Sequence, residues 1–108
     1  MEIKKFDLNQ ISRSFTQSWS PCDIETIGNF VLRAAKFDGP YHWHKHDNAD
    51  EMFIVFEGKI IIQTRKGNFV LETGEGIKIP RGVEHCPVVT VRSMVMMFEQ
   101  SGLESKGD

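Results

Sequence analysis

Two histidines and a glutamate within eight residues have the clearest chemical potential in this sequence. A single residue separates His44 from His46, so in an extended strand the two side chains would share a face, with their Cα atoms about 6–7 Å apart. Residues 47–50, Asp-Asn-Ala-Asp, favour a turn because Asp and Asn side chains can hydrogen-bond to the local backbone. A reversal there would bring Glu51 beside the histidines, on an adjacent antiparallel strand. Two imidazoles and one carboxylate are a common ligand set for a transition metal ion.

His85 is the fourth candidate ligand. It lies three residues beyond Gly82, just after a Pro-Arg-Gly turn, where a strand is expected to re-enter a sheet. Its contribution requires that this strand lie beside His44 and His46, which spacing alone does not establish.

Two other polar residues near these positions have alternative interpretations. His42 shares strand parity with His44 and His46, so it is either a donor or proton relay next to the site or a surface histidine. No catalytic residue beyond the candidate metal ligands is indicated. Arg81 either meets an anionic substrate at the rim or is simply solvated.

The two cysteines, Cys22 and Cys86, are expected to be reduced thiols, because the N-terminal residues MEIKKFDLNQ lack the apolar core of a secretion signal. Cys86 directly follows His85, so strand alternation would turn its sulfur away from the site and towards the core.

Positioning these residues requires a fold made of short strands. Nowhere does an apolar period of 3.6 residues persist for three turns. Gly, Pro and Asn separate β-favouring runs, which predicts an antiparallel sandwich or barrel in which inward-facing ligands can meet around one ion. The predicted strands are residues 2–7, 23–27, 29–37, 41–46, 51–56, 59–65, 69–72, 77–79 and 90–98, and residues 99–108 are predicted to be a frayed tail.

Composition excludes several other classes of protein. A chain of 108 residues with 40% hydrophobic content is expected to form one domain with one core. A formal net charge of −2, with scattered Lys and Arg, argues against nucleic-acid binding. No apolar run approaches the roughly 18 residues of a membrane span. A cytoplasmic protein is therefore expected, with neither nucleic acid nor membrane as a partner.

Two sequence motifs resemble those of the cupin superfamily. The first runs from Gly39 to Gly58 with the spacing G-x4-HKH-x4-E-x6-G, and the second runs from Gly74 to His85 with the spacing G-x5-P-x-G-x2-H. Together they span residues 39–85. Two positions depart from the usual pattern: four residues rather than five precede the first histidine, and Val89 replaces the usual asparagine. Neither position is a metal ligand in the family.

The resemblance implies a small single-domain cupin of the cupin 2 type over residues 1–108. Its fold would be all-β, a double-stranded β-helix or jelly-roll barrel of antiparallel strands. One divalent metal would be held near the barrel mouth by His44, His46, Glu51 and His85. Fe, Mn, Ni and Zn all suit such ligands, so the sequence does not indicate which metal is bound. The alternative is a buried polar cluster without metal.

Two classes of function follow from this resemblance. Four protein ligands leave one or two positions for substrate or water on a five- or six-coordinate ion, which is typical of a catalytic site. One class is an enzyme acting on a small polar organic molecule by dioxygenase-, isomerase- or lyase-type chemistry. The other is a non-catalytic module that binds a metal or a small ligand. Sugar-phosphate isomerisation is a minor possibility, because only Arg81 and Arg33 could supply the cations it needs.

The last predicted strand also indicates self-association. Residues 94–98 are Met-Val-Met-Met-Phe, so both faces of this strand are apolar. One face can pack in the core and the other is expected to meet another subunit. A homodimer is therefore expected, as the resemblance to other small cupins also suggests.

Overall fold

The fold is an antiparallel β structure with one short helix. The computed structural model describes residues 1–103 and 107. Every pairing between its strands is antiparallel, which confirms the all-β prediction. The elements are α1 (Leu8–Ser14), β1 (Cys22–Ile27), β2 (Phe30–Pro40), β3 (Glu51–Glu57), β4 (Lys59–Thr64), β5 (Gly67–Glu72), β6 (Gly76–Ile79) and β7 (His85–Gln100).

The long strand β7 connects two sheet layers. Its first residues, from His85 to Val88, pair with β4, which in turn pairs with β5. Its second part, from Ser93 to Gln100, lies between β2 and β3 in the order β1-β2-β7-β3-β6. Hydrogen bonds do not close the sheet into a ring, and the arrangement is that of a jelly roll.

Strand alternation decides which side chains enter the space between the layers. In β3, Glu51, Phe53 and Val55 are buried, whereas Met52 is exposed and Ile54 is half-buried. Glu51 thus continues a row of core-facing residues, which carries its carboxylate into the interior. The core around this row consists of Ala35, Phe37, Phe53, Val55, Ile60, Ile62, Leu71, Ile79, Val89, Val95 and Met97.

The N-terminal prediction was wrong. Residues 1–7 form no strand, and the helix α1 follows them. The Asp7 side chain caps this helix by accepting hydrogen bonds from the backbone N–H groups of Asn9 (2.9 Å) and Gln10 (3.2 Å). Ser12 is buried and binds both Glu57 and Lys36, which fixes the helix against the barrel. Seven residues are too few to show a helical period over three turns.

Several strand boundaries also differ from the prediction. β2 continues to Pro40, because a bulge near Asp38 absorbs the turn-forming residues that were expected to end it. Residues 41–46 form no regular strand. β7 begins at His85 rather than Thr90 and continues to Gln100, so residues 99 and 100 belong to a strand and not to the predicted tail. Residues 104–106 and 108 of that tail lie outside the described residues.

In the described part of the chain, no helix has the length and apolar character needed to cross a membrane. The cytoplasmic location stays a prediction.

Candidate metal centre

An antiparallel backbone bridge places His85 beside His44. The His44 N–H donates to the His85 carbonyl at 3.0 Å, and the His85 N–H donates to the His44 carbonyl at 2.9 Å. The carbonyl of His46 accepts from the N–H of Gly82 at 2.8 Å, so the turn before His85 also fixes the second histidine. These bonds supply the proximity that sequence spacing could not establish.

Glu51 approaches the histidines from another part of the fold. It begins β3, where it pairs with Ile79 and Glu99, so it is not on a strand adjacent to His44 as the sequence suggested. The chain bends at residues 47 and 48, within the predicted turn. Glu51 Oε1 lies 3.4 Å from the Nε2 atoms of both His46 and His85.

The structure brings all four predicted residues together as a buried group. One candidate ligand atom from each of His44, His46, Glu51 and His85 lies within 4.8 Å of the others. A group of this composition and spacing could hold one metal ion. Its role as the ligand set stays a prediction.

Backbone carbonyls fix the tautomers of two of the imidazoles. The Nδ1 atom of His44 lies 3.0 Å from the His42 carbonyl, and Nδ1 of His85 lies 2.9 Å from the Val83 carbonyl. A carbonyl can only accept, so each Nδ1 carries the proton and each Nε2 keeps its lone pair. This is the arrangement in which a metal-binding histidine is oriented by its other nitrogen.

The charge states of the group also suit a cation. Burial lowers the pKa of His44 to about 4, so its imidazole is neutral at neutral pH. Burial alone would raise the pKa of Glu51, but the neighbouring imidazoles of His46 and His85 outweigh it and hold the pKa below its usual range. Neutral imidazole and ionised carboxylate are the forms that bind metal.

Several buried polar atoms in this group have no hydrogen-bond partner among the described residues. They are both ring nitrogens of His46, Oε1 of Glu51 and Nε2 of His85. Leaving a buried polar atom unpaired typically costs about 1–3 kcal/mol. A cation bound among them would accept lone pairs from one nitrogen of His46, from Oε1 of Glu51 and from Nε2 of His85, so the residues fit a metal ion.

A second buried glutamate lies next to Glu51. Glu99 is its cross-strand neighbour and is 1% exposed, with Oε1 accepting from Nη1 of Arg33 at 2.9 Å. Burial and the carboxylate of Glu51 raise the pKa of Glu99 to about 9, although Arg33 acts in the opposite direction. Glu99 was not among the predicted site residues. Its burial could have been predicted from the alternating row of core residues Val95, Met97 and Glu99.

A small apolar cavity adjoins the group. Its lining includes the polar side chains of His44 and Glu51, no described residue of the lining is a Lys or Arg, and its volume is about 20 Å³. Space of this size holds about one water molecule. The lining residues are Trp19, Pro21, Ala35, Phe37, Tyr41, His44, Glu51, Phe53 and Met97.

The remaining predicted residues are absent from the cavity lining. The His42 side chain is exposed, but its ring centroid lies 5.3 Å from that of His44, and its backbone carbonyl lies 3.0 Å from His44 Nδ1. Arg81 is exposed outside the cavity, and Arg33 is bound to Asp23 and Glu99. Cys86 is a buried free thiol as predicted. Tyr41 was not among the predicted site residues and lines the cavity.

Comparison with known proteins identifies related chains. A family model described as a cupin domain matches residues 30–99. Protein YdbB of Bacillus subtilis, which is uncharacterised, is 30% identical over 103 residues, covering 94% of this chain and 91% of YdbB.

Solved structures share the same fold. A cupin-2 domain containing protein from Shewanella frigidimarina has 36% sequence identity and a TM-score of 0.86, covering 88% of this chain and 93% of the other. The hydroquinone 1,2-dioxygenase PnpCD, solved in complex with Fe3+, has 18% identity and a TM-score of 0.80 over 93% of this chain and 33% of its own. At that identity the likeness shows the fold alone.

Proposed function

This chain belongs to the family of cupin domains, and we propose that it is a metal-dependent enzyme acting on a small organic molecule. In this proposal His44, His46, Glu51 and His85 hold one divalent ion. The observation that supports this proposal is the buried group of unpaired candidate ligand atoms beside an apolar cavity.

Each part of the site has a role in this proposal. A bound divalent ion would supply Lewis acidity or a redox centre. Glu51 contributes the single negative charge among the four ligands and partly neutralises the cation. The carbonyls of His42 and Val83 hold His44 and His85 in the metal-binding tautomer. Phe37 and Phe53 exclude water from the reacting group, which strengthens electrostatic interactions inside the cavity.

We favour dioxygenase-type chemistry with iron over isomerase- or lyase-type chemistry. The support is the apolar lining together with the shared fold of the Fe3+-containing dioxygenase PnpCD. Sugar-phosphate isomerisation is disfavoured because, within the described part of the chain, the cavity lining contains neither Lys nor Arg to bind a phosphate.

Oxygen uptake tests this function. Protein reconstituted anaerobically with Fe(II) is mixed with air-saturated buffer and a panel of phenols, enols and diketones in an oxygen electrode. We expect uptake that depends on one substrate of the panel and is lost in His44→Ala, which truncates a ligand, but kept in His42→Ala, whose side chain is exposed. Metal binding without uptake or product formation for any member of the panel would favour the second candidate, a non-catalytic binding module.

We also propose that the protein is a homodimer. Phe30, Met52 and Phe98 are 44%, 37% and 36% exposed on the outer face of the β2-β7-β3 sheet. The rings of Phe30 and Phe98 stack at 5.6 Å, and Phe98 pairs in register with Leu32 and Met52, which makes a continuous apolar surface. A second copy related by a two-fold axis would present the same apolar surface, so the two surfaces could pack against each other.

Light scattering at micromolar concentration tests the dimer. Phe98→Glu should give a monomer that keeps its metal, because a carboxylate would be buried at the interface. Val91→Glu is the matched control, since Val91 is exposed on the same strand but lies outside the residues that pair with β3. A monomeric mass for the parent protein would contradict the proposal.

A further inference from the structure

We propose that Trp19 is the specificity-determining wall of the cavity, and that the occupant is a small flat conjugated molecule with one oxygen-donor group facing the metal. This inference deepens the proposed function and rests on it. It concerns a residue outside both sequence motifs.

The backbone of Trp19 has an unusual conformation. Its φ is +58°, the one positive value found for a non-glycine residue in the described part of the chain. A bulky side chain rarely adopts this region, and such conformations persist where surrounding contacts impose them. Two hydrogen bonds do so here: the Trp19 N–H donates to the Lys36 carbonyl and indole Nε1–H donates to the Asp38 carbonyl, both at 2.8 Å. The segment before β1 is thereby tied to β2 with the indole against the cavity.

The indole completes a set of aromatic surfaces. Its ring centroid is 4.5 Å from that of Tyr41, with 23° between the planes, and 4.4 Å from that of Phe37. Phe53 meets Phe37 edge-on at 6.3 Å. Aromatic pairs prefer such stacked and edge-to-face arrangements, so a planar conjugated ligand gains more here than a puckered one of equal area.

The polar groups of the cavity restrict the occupant further. His44 and Glu51 both line the cavity, and their candidate ligand atoms lie within 4.8 Å of each other. One oxygen donor can face the metal there, while a second charge elsewhere on the occupant would meet walls to which the described residues contribute neither Lys nor Arg. A polyanion such as a sugar phosphate is therefore disfavoured.

The size of the cavity gives Trp19 an active part in binding. About 20 Å³ of free space does not hold a six-membered ring, so a ring that enters must rearrange the lining that the indole forms with its aromatic neighbours. Binding should consequently change the fluorescence of Trp19. The other tryptophan, Trp43, is 37% exposed and lies under the guanidinium of Arg65, away from the cavity lining. Trp43→Phe therefore leaves Trp19 as the sole reporter.

The experiment compares benzoate with cyclohexanecarboxylate, which has the same carboxylate on a saturated, puckered ring. Zn(II)-reconstituted Trp43→Phe protein is titrated with each, and with inorganic phosphate, by calorimetry and fluorescence. We expect benzoate to bind at least tenfold more tightly than cyclohexanecarboxylate and to change the Trp19 emission, and phosphate not to do so. Equal affinities for the two carboxylates, or tighter binding of phosphate, would overturn the inference.

Variants of Trp19 isolate its contribution. Trp19→Ala should keep full metal content but bind benzoate at least tenfold more weakly and lose most of the preference over cyclohexanecarboxylate. Trp19→Phe, which keeps an aromatic face, should lose only about two- to fivefold. Unchanged discrimination in both variants would refute the role of Trp19. A parent protein that takes up no Zn(II) would instead refute the metal centre, and with it this inference.

Discussion

Metal removal should lower the melting temperature of this protein by a predictable amount. Three of the unpaired buried atoms, His46 Nε2, Glu51 Oε1 and His85 Nε2, lie within one ligand group. At about 1–3 kcal/mol each, their desolvation destabilises the metal-free fold by roughly 3–9 kcal/mol that a cation could offset. Independently, an ion at a hundredfold excess over Kd stabilises the folded state by about 2.7 kcal/mol.

The smaller stabilisation, about 2.7 kcal/mol, sets the expected shift in melting temperature. Unfolding entropy is about 2.1 cal/mol/K per residue, so a chain of 108 residues has roughly 0.23 kcal/mol/K near the midpoint. A stabilisation of about 2.7 kcal/mol then corresponds to about 12 °C. Far-ultraviolet circular dichroism of Zn(II)-loaded protein, with and without chelator, measures it. Metal content is measured on the same samples.

Alanine variants of the four candidate residues identify the ligands in this assay. Ala at His44, His46, Glu51 or His85 should greatly reduce metal content and abolish most of the chelator response. His42→Ala should retain most of both, since the backbone carbonyl that orients His44 is kept and only the ring 5.3 Å from that of His44 is lost. A parent protein that loses its metal without a change in melting temperature would refute the energetic reasoning. A His85→Ala variant that keeps full metal while His42→Ala loses it would refute the ligand assignment.

The remaining predictions concern pH, the second glutamate and one glycine. Metal content after dialysis should fall as the pH approaches about 4, because burial lowers the pKa of His44 to about 4 and protons compete for its imidazole near that pH, and a flat profile would contradict a histidine-rich site. Glu99→Ala should lower the free energy of unfolding by about 2–3 kcal/mol, because it removes a buried partner of Arg33, and Glu99→Gln, which keeps an acceptor oxygen, by less than half of that in urea denaturation. Equal losses in the two variants would show that the hydrogen bond to Arg33 is unimportant. Gly58→Ala should lower the free energy of unfolding by more than about 2 kcal/mol, since its φ is +105° and a new Cβ would lie 2.6 Å from Cβ of Ser93. The control Gly28→Ala has φ +58° and no atom within 4 Å of the new Cβ, so it should lower the free energy of unfolding by only about 1–2 kcal/mol.

Features that depend on local spacing could be predicted from the sequence. The bend at residues 47 and 48 and the parity of Glu51 with Phe53 and Val55 follow from side-chain chemistry and the period of two. The pairing of His44 with His85 depends on a contact between residues 41 positions apart, and only resemblance to a family indicated it. Such pairing is set by the register of the whole sheet, which local patterns do not encode.

Glu99 and Trp19 were not predicted from the sequence, for different reasons. Glu99 was assigned to a frayed tail because its polar neighbours outweighed the alternation of β7, which the structure continues through it. Trp19 lies in an irregular segment whose conformation is fixed by hydrogen bonds to β2. No periodicity marks such a segment, so its contact with the cavity could not be predicted from sequence.

The position of β7 determines when the site can form during synthesis of the protein. This strand carries His85 at one end, and its other end pairs with both β2 and β3. A nascent chain that has emerged only as far as β6 already contains His44, His46 and Glu51, but it has neither His85 nor the strand that joins the two layers. Non-local pairing of this kind is slow relative to helix formation. In the proposed metal centre, capture of the ion would therefore follow docking of the last strand rather than translation of the first motif.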